Sequence, residues 1–126
     1  KHIDFTFPFD NNLLNKFLKV SKLLKLNYHI NAVYASVQGP RLESAAEINR
    51  YENDGANIVG MTGMPETSLA REIGLSYALI CPVANHAAGR GLNKDAVTHE
   101  EISANSEKMA LNIANLIKGI IETHGN

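Results

Sequence analysis

The sequence predicts an α/β fold in which a mainly parallel or mixed sheet is flanked by helices. Amphipathic helical segments alternate with short apolar segments along the chain, which is the order of a parallel sheet with crossover helices. The apolar segments also lack polar alternation, as is typical of strands covered by helices on both faces. At 126 residues, the chain matches one domain or part of one.

The first predicted element is an amphipathic helix that starts from Asp10. Apolar side chains recur at helical spacing, whereas most lysines fall elsewhere on the helix. Asn27 is the expected left-handed residue that ends it. The apolar stripe consists of Leu13, Leu14, Phe17, Leu18 and Leu24.

Two strands and a helix between them come next. The apolar segments 32–37 and 57–61 are each predicted to form a strand. Ser44 and Glu47 have the spacing of a capping box, so a helix should begin there. Gly55 is expected to end this helix.

A third helix and a third strand are predicted after the second strand. Pro65 has no amide hydrogen to lose in a first helical turn, and the Glu66 carboxylate favours the positive end of the helix dipole. Gly74 should end this helix, and 77–83 is predicted to be a strand.

The last predicted element is a long amphipathic helix. Thr98 and Glu101 have the spacing of a second capping box, and the helix should end near His124. Its apolar face consists of Ile102, Met109, Ile113, Leu116 and Ile120.

Candidate functional residues follow the predicted strands, because ligands of parallel sheets gather beyond the carboxyl ends of strands. The loops 39–43, 62–66 and 85–91 lie there. Each also has a purely structural interpretation, since acids and hydroxyls begin helices and asparagine favours turns. Physical chemistry alone leaves both interpretations open.

Composition argues against several classes of partner. Lys and Arg number 12 against 13 Asp and Glu, for a net charge of -1, so we expect no nucleic-acid partner. We expect no membrane partner, since no apolar run is long enough to cross a bilayer. The single cysteine, Cys81, cannot form an internal disulfide, which favours a reducing, cytoplasmic location. The histidines show no ligand spacing, so no metal site is expected.

Four segments between residues 34 and 74 form a combined motif: 34–43, 46–48, 55–66 and 69–74. In this order they resemble the family of trimeric purine nucleoside phosphorylases and methylthioadenosine phosphorylases. The opening His2-Ile3-Asp4-Phe5 and the Asn85–Gly89 loop are most similar to the methylthioinosine and 6-oxopurine branches. The resemblance implies a nucleoside phosphorylase-like fold, with residues 1–126 as the carboxyl-terminal half of its single domain.

The resemblance also implies an activity. Family members are pentosyltransferases of purine salvage. The expected reaction is phosphorolysis of 6-oxopurine nucleosides (inosine, guanosine or methylthioinosine) to the free base and ribose 1-phosphate or its methylthio analogue. Inorganic phosphate would be the co-substrate, with no metal or organic cofactor. The implied assembly is a homotrimer or a multiple of one.

By the same resemblance, three residues contact the purine base. Asn85 matches the catalytic position that faces N7, where an amide N–H stabilises the charge that develops as the bond breaks. Glu43 matches the carboxylate that accepts N1–H of a 6-oxopurine, and Leu42 occupies the place of a base-packing phenylalanine.

Five further residues are expected around the sugar and phosphate. Met61 resembles the methionine that lies against the ribose, and Thr62 matches a hydroxyl that binds phosphate. His99 matches the histidine that binds the ribose 5′-hydroxyl. His2 and Phe5 resemble a segment that reaches a neighbouring subunit's 5′ pocket.

Two alternatives stay open on these residues. His99 favours a 5′-hydroxyl, whereas the opening segment favours a methylthio group. Methylthioadenosine phosphorylases carry aspartates where Asn85 and Ala87 stand, which argues against a 6-amino base. The family's phosphate loop and Arg-His clamp belong to the other half of the domain, so a catalytically incomplete purine-binding fragment is one alternative function, and a methylthioadenosine phosphorylase is the other.

Overall fold

The computed structural model describes residues 2–124 and, apart from residues 99, 101 and 124, their side chains. Helices and strands alternate through the first five elements, which confirms the α/β prediction. The elements are α1 (Asn11–Leu23), β1 (Tyr34–Ser36), α2 (Ala45–Asn53), β2 (Ile58–Gly60), α3 (Glu66–Glu72) and α4 (His99–His124). None of the helices in this described part is long and apolar enough to span a membrane.

The described residues divide into two compact units. The sheet unit comprises 29–62 and 82–109 and contains β1, α2, β2 and the start of α4. The helical unit comprises 2–28, 63–81 and 110–124 and contains α1, α3 and the rest of α4.

The sheet consists of β1 and β2, which pair in parallel with Tyr34 opposite Ile58 and Ser36 opposite Gly60. The amide of Val37 continues the ladder by donating to the Gly60 carbonyl at 2.9 Å. Because α2 connects the two strands, their carboxyl ends meet at one edge of the sheet. The segments that follow the two strands therefore leave the sheet side by side.

Helix α2 confirms the predicted capping box. The Ser44 hydroxyl accepts the Glu47 amide at 3.2 Å, and the Glu47 carboxylate accepts the Ser44 amide at 2.8 Å. Two amides of the first turn that lack helical partners are thereby satisfied. Ile48 is buried at 6% exposure, and Gly55, with φ of 93°, follows the end of the helix as predicted.

Helix α1 begins as predicted but ends earlier. The Asp10 carboxylate caps it by accepting the Leu13 amide at 2.7 Å. Lys25, not Asn27, adopts the left-handed conformation, with φ of 53°. The Lys25 amide donates to the Lys22 carbonyl, and the Leu26 amide donates to Ser21. These two bonds form a Schellman motif, in which an apolar residue often follows the left-handed position, as half-buried Leu26 does here.

The strand predicted over 77–83 is wrong, because the structure assigns no strand there. The Tyr77 carbonyl accepts the Asp10 amide at 2.8 Å, and the Tyr77 ring stacks on Phe9 at 6.5 Å between centroids. Among the described residues, no backbone ladder continues from this single bond. An apolar sequence becomes a strand only where a neighbouring strand takes up its amides and carbonyls.

Helices α3 and α4 begin at the predicted positions, and α3 also ends where it was expected to end. Pro65 directly precedes α3, and Gly74, with φ of 73°, follows its end. In the helical unit, Val20 and Leu116 are 2% and 4% exposed. Helix α4 begins at His99 as expected, but its predicted capping box depends on the Glu101 side chain, which lies outside the described residues.

Candidate functional site

The candidate site lies at the carboxyl edge of the two-stranded sheet, where a tight turn follows β1. Gly39 has φ of 65°, a conformation that favours glycine. A Cβ atom at this position would lie 2.5 Å from the Met61 sulfur, so the turn packs directly on the Met61 thioether. The turn after β1 and the residue that follows β2 therefore meet, as expected from the parallel pairing.

A cavity of about 130 Å³ opens beside this turn. Its size is comparable to the ~150 Å³ engineered cavity that holds benzene in another protein. Glu43 is half-buried and lines it, together with side chains of α2. Among the described residues, the lining consists of Val37, Gln38, Gly39, Arg41, Glu43, Glu47 and Tyr51.

The charge of this cavity is organised by a bidentate ion pair. Two guanidinium nitrogens of Arg41 donate to the two carboxylate oxygens of Glu47, both at 2.8 Å. Together with the Ser44 amide, this pairing lowers the pKa of Glu47 from 4.5 to about 2. Because Glu47 takes up both terminal nitrogens of Arg41, the Glu43 carboxylate stays available in the same cavity.

We expect the Glu47 carboxyl to titrate near pH 2 in an NMR titration of the folded protein. Its folded pKa is depressed, so its ion pair stabilises the fold fully above pH 4.5, and this contribution is lost as the pH falls towards 2. Arg41→Gln should move the titration of Glu47 up towards 4.5, because the hydrogen bonds from Arg41 are the largest cause of the shift.

Arg50→Gln is the matched control for Arg41→Gln, because Arg50 lies on α2, as Glu47 does, but pairs with Asp54. The titration of Glu47 should stay in place in this variant. A Glu47 carboxyl that titrates near 4.5 in the wild-type protein would contradict the ion pair as the cause.

Thr62 stands two residues beyond β2 and is held from the neighbouring strand. Its amide donates to the Tyr34 hydroxyl at 3.1 Å, and its own hydroxyl lies 3.2 Å from the same oxygen. The Ser36 hydroxyl donates to the Thr62 carbonyl at 3.4 Å. The Thr62 side chain is exposed and can donate to an anion at this edge.

Asn85 lies in a loop that is closed by its own hydrogen bonds. The Asn85 amide nitrogen donates to the His86 carbonyl at 2.7 Å, and Asn93, only 3% exposed, donates to the same carbonyl at 2.6 Å. This pairing places the amide nitrogen of Asn85 beside the carbonyl. Its second N–H remains available for a ligand.

The Asn85 loop is tied to α2, the helix that follows Glu43. The Arg90 guanidinium donates to the Asn49 side chain at 2.7 Å and pairs with Glu52. A Cβ atom at Gly89 would lie 2.9 Å from that of Ala45. Because no strand precedes this loop, α2 and not a sheet edge places it in the sheet unit.

The remaining predicted site residues are Leu42, His2, Phe5 and His99. Leu42 is 47% exposed and lies outside the cavity lining. His2 is exposed and Phe5 half-buried, and both belong to the helical unit. His99 is the first residue of α4, and its side chain lies outside the described part.

Three residues of the site escaped the sequence analysis. Arg41 binds Glu47 although its own side chain is 71% exposed. Tyr34 supports Thr62, and Asn93 supports the Asn85 loop. Arg41 and Tyr34 lie within the motif segment 34–43, but no sequence spacing indicates the contacts that Tyr34 and Asn93 make.

Comparison with known proteins places this geometry in a family context. The family model described as the Phosphorylase superfamily matches residues 1–122. A probable S-methyl-5'-thioinosine phosphorylase of Thermodesulfovibrio yellowstonii is 43% identical over 121 residues, which are 96% of this chain and 45% of the relative. A 6-oxopurine nucleoside phosphorylase of Pyrococcus furiosus is 38% identical over 95% of this chain and 44% of its own length.

A solved structure shares the fold. Methylthioadenosine phosphorylase from Schistosoma mansoni in complex with adenine superposes with a TM-score of 0.87 at 22% identity, over 98% of this chain and 49% of its own. The chain thus spans about half the length of the relatives that it matches.

Proposed function

We propose that this chain, which belongs to the phosphorylase superfamily, forms the nucleoside-binding part of an enzyme that cleaves 6-oxopurine nucleosides with inorganic phosphate. In this reaction a phosphate oxygen forms a bond to C1′ of the ribose while the bond from C1′ to N9 breaks. The purine leaves with the electron pair and takes up a proton. The products are the free base and ribose 1-phosphate or its methylthio analogue.

The observation that carries the proposal is the position of Glu43 in the cavity at the carboxyl edge of the sheet. A carboxylate there accepts the N1–H of hypoxanthine or guanine. Adenine has a lone pair at N1, which an ionised Glu43 repels, and an unpaired buried polar group discriminates strongly between ligands. Leu42, next to Glu43, would pack against the base.

Asn85 acts on the leaving purine and Thr62 on the attacking phosphate in this proposal. The second N–H of Asn85 donates to N7 of the purine, and this hydrogen bond strengthens as negative charge develops on the base. Thr62, exposed beside β2, donates to the phosphate that attacks C1′. Met61, packed on the Gly39 turn, lies against the ribose between them.

The 5′ substituent distinguishes two candidate substrates. A relative named as a probable S-methyl-5'-thioinosine phosphorylase favours a methylthio group, and one named as a 6-oxopurine nucleoside phosphorylase favours a hydroxyl. His99 would bind a 5′-hydroxyl. His2 and Phe5 would approach the 5′ substituent from a neighbouring subunit of a cytoplasmic homotrimer, or of a multiple of one.

The test is an assay of the whole protein with inosine, guanosine, methylthioinosine and methylthioadenosine, with and without inorganic phosphate. We expect hypoxanthine or guanine release that requires phosphate, and at least tenfold lower kcat/KM for methylthioadenosine than for methylthioinosine. The ratio between inosine and methylthioinosine then identifies the preferred 5′ substituent. Base release that does not depend on phosphate, or none at all, would refute the proposal.

A further inference from the structure

Tyr34 extends from β1 across the sheet to a residue 28 positions later in the chain. Its hydroxyl accepts the Thr62 amide at 3.1 Å and lies 3.2 Å from the Thr62 hydroxyl. The path crosses Gly60, where any Cβ atom would overlap the Tyr34 hydroxyl. The absence of a side chain at Gly60 therefore permits this contact.

The hydrogen-bond directions in this contact are restricted. The Tyr34 oxygen accepts the Thr62 N–H, so one of its lone pairs is occupied. Between the two hydroxyl groups either oxygen can be the donor. An anion at Thr62 removes this freedom, since the hydroxyl hydrogen of Thr62 then points to the anion and the oxygen of Thr62 must accept from Tyr34.

We propose that Tyr34 is a positioning residue that orients the Thr62 hydroxyl as a donor to the phosphate co-substrate. This inference rests on the proposed function, which assigns phosphate to Thr62. The phenol fixes Thr62 through its amide and supplies a hydrogen to its oxygen. Hydrogen bonds in such a chain polarise one another, so Thr62 becomes a stronger donor to the anion.

A purely structural role for Tyr34 has a different signature. If Tyr34 only connected β1 to the end of β2, its loss would disturb the folding of this edge and weaken the binding of both nucleoside and phosphate. The proposed role acts through a single hydroxyl group. Loss of this hydroxyl group should therefore weaken the binding of phosphate, which Thr62 contacts, and leave the binding of the nucleoside unchanged.

Tyr34→Phe tests the proposal, because it removes one oxygen and keeps the ring. In the whole protein we expect the KM for phosphate to rise about five- to tenfold, the value of one hydrogen bond to an oriented donor. The KM for the nucleoside and kcat at saturating phosphate should stay unchanged. Ser36→Ala is the matched control, since Ser36 reaches the carbonyl of Thr62 and not its hydroxyl, and its phosphate KM should equal that of the wild type.

A double-mutant cycle with Thr62→Val shows whether Tyr34 acts through Thr62. In the Thr62→Val background, Tyr34→Phe should have no further effect on the phosphate KM. Equal phosphate KM values for wild type and Tyr34→Phe would overturn the inference, as would undiminished effects in the Thr62→Val background or a parallel rise in the nucleoside KM.

Calorimetric titration with inorganic phosphate separates this inference from the proposed function. If the wild type releases base with phosphate and Tyr34→Phe binds phosphate equally well, the inference fails and the function stands. If no nucleoside is cleaved but Tyr34→Phe binds phosphate five- to tenfold more weakly, the proposed function fails, and what stands is that Tyr34 orients Thr62 towards a bound phosphate. Absence of phosphate binding by the wild type would overturn both.

Discussion

Glu43→Ala is expected to lower kcat/KM for inosine or methylthioinosine by about 30- to 1,000-fold, which corresponds to roughly 2–4 kcal/mol. The loss is large because Glu43 is half-buried in the cavity while Arg41 is held by Glu47. Without the carboxylate, N1–H of the base loses its acceptor in a confined site. Steady-state kinetics with 6-oxopurine and 6-aminopurine nucleosides measure the effect.

The same variant should also lose discrimination. Glu43→Ala removes the repulsion of the adenine N1 lone pair, so the ratio of kcat/KM for 6-oxopurine to 6-aminopurine nucleosides should fall. Glu66→Ala is the matched control, because Glu66 is an exposed acid in the first turn of α3 and should leave this ratio unchanged. If Glu43→Ala keeps wild-type efficiency, Glu43 is simply an acid before a helix.

Asn85→Asp is expected to reduce kcat/KM for 6-oxopurine nucleosides by about 100-fold, the usual effect of losing one preorganised donor to developing charge. The structure adds a second reason. The amide nitrogen of Asn85 donates to the His86 carbonyl, and an ionised aspartate would place an acceptor against that acceptor. The carboxylate therefore turns away from the His86 carbonyl or is protonated, and in both cases the donor to N7 is weakened.

Activity on 6-aminopurine nucleosides should rise relative to 6-oxopurine activity in Asn85→Asp, because the carboxylate accepts the exocyclic amino group of adenine. Asn85→Ala serves as the comparison, since it removes donor and acceptor together and should lower both activities. Equal losses on both base classes in Asn85→Asp would show that Asn85 does not face the purine ring.

The site was predictable where it depends on the order of elements along the chain. Parallel pairing of β1 and β2 brings the Gly39 turn and Met61 together, as the predicted crossover required. The roles of Glu43, Thr62 and Asn85 came from a resemblance and remain predictions. The side-chain contacts that hold these residues in place could not be predicted from the sequence, since Arg90 pairs with Glu52, 38 positions away, and Tyr34 contacts Thr62, 28 positions away.

Sequence by itself determined the features that depend on hydrogen bonds between near neighbours. The capping box of Ser44 and Glu47 and the glycines after α2 and α3 need no distant partner, because their geometry is complete within one helical turn. The parallel order of β1 and β2 follows from the helix between them.

Only the tertiary structure decided the conformation of segments whose local preference lacked a partner or met a stronger preference nearby. Asn27 tolerates a left-handed conformation, yet Lys25 adopts it, directly before Leu26, which the fold half-buries. Residues 77–83 are apolar enough for a strand, yet a strand exists only if another backbone lies alongside to pair with it. That condition depends on the approach of distant segments, which local spacing does not specify.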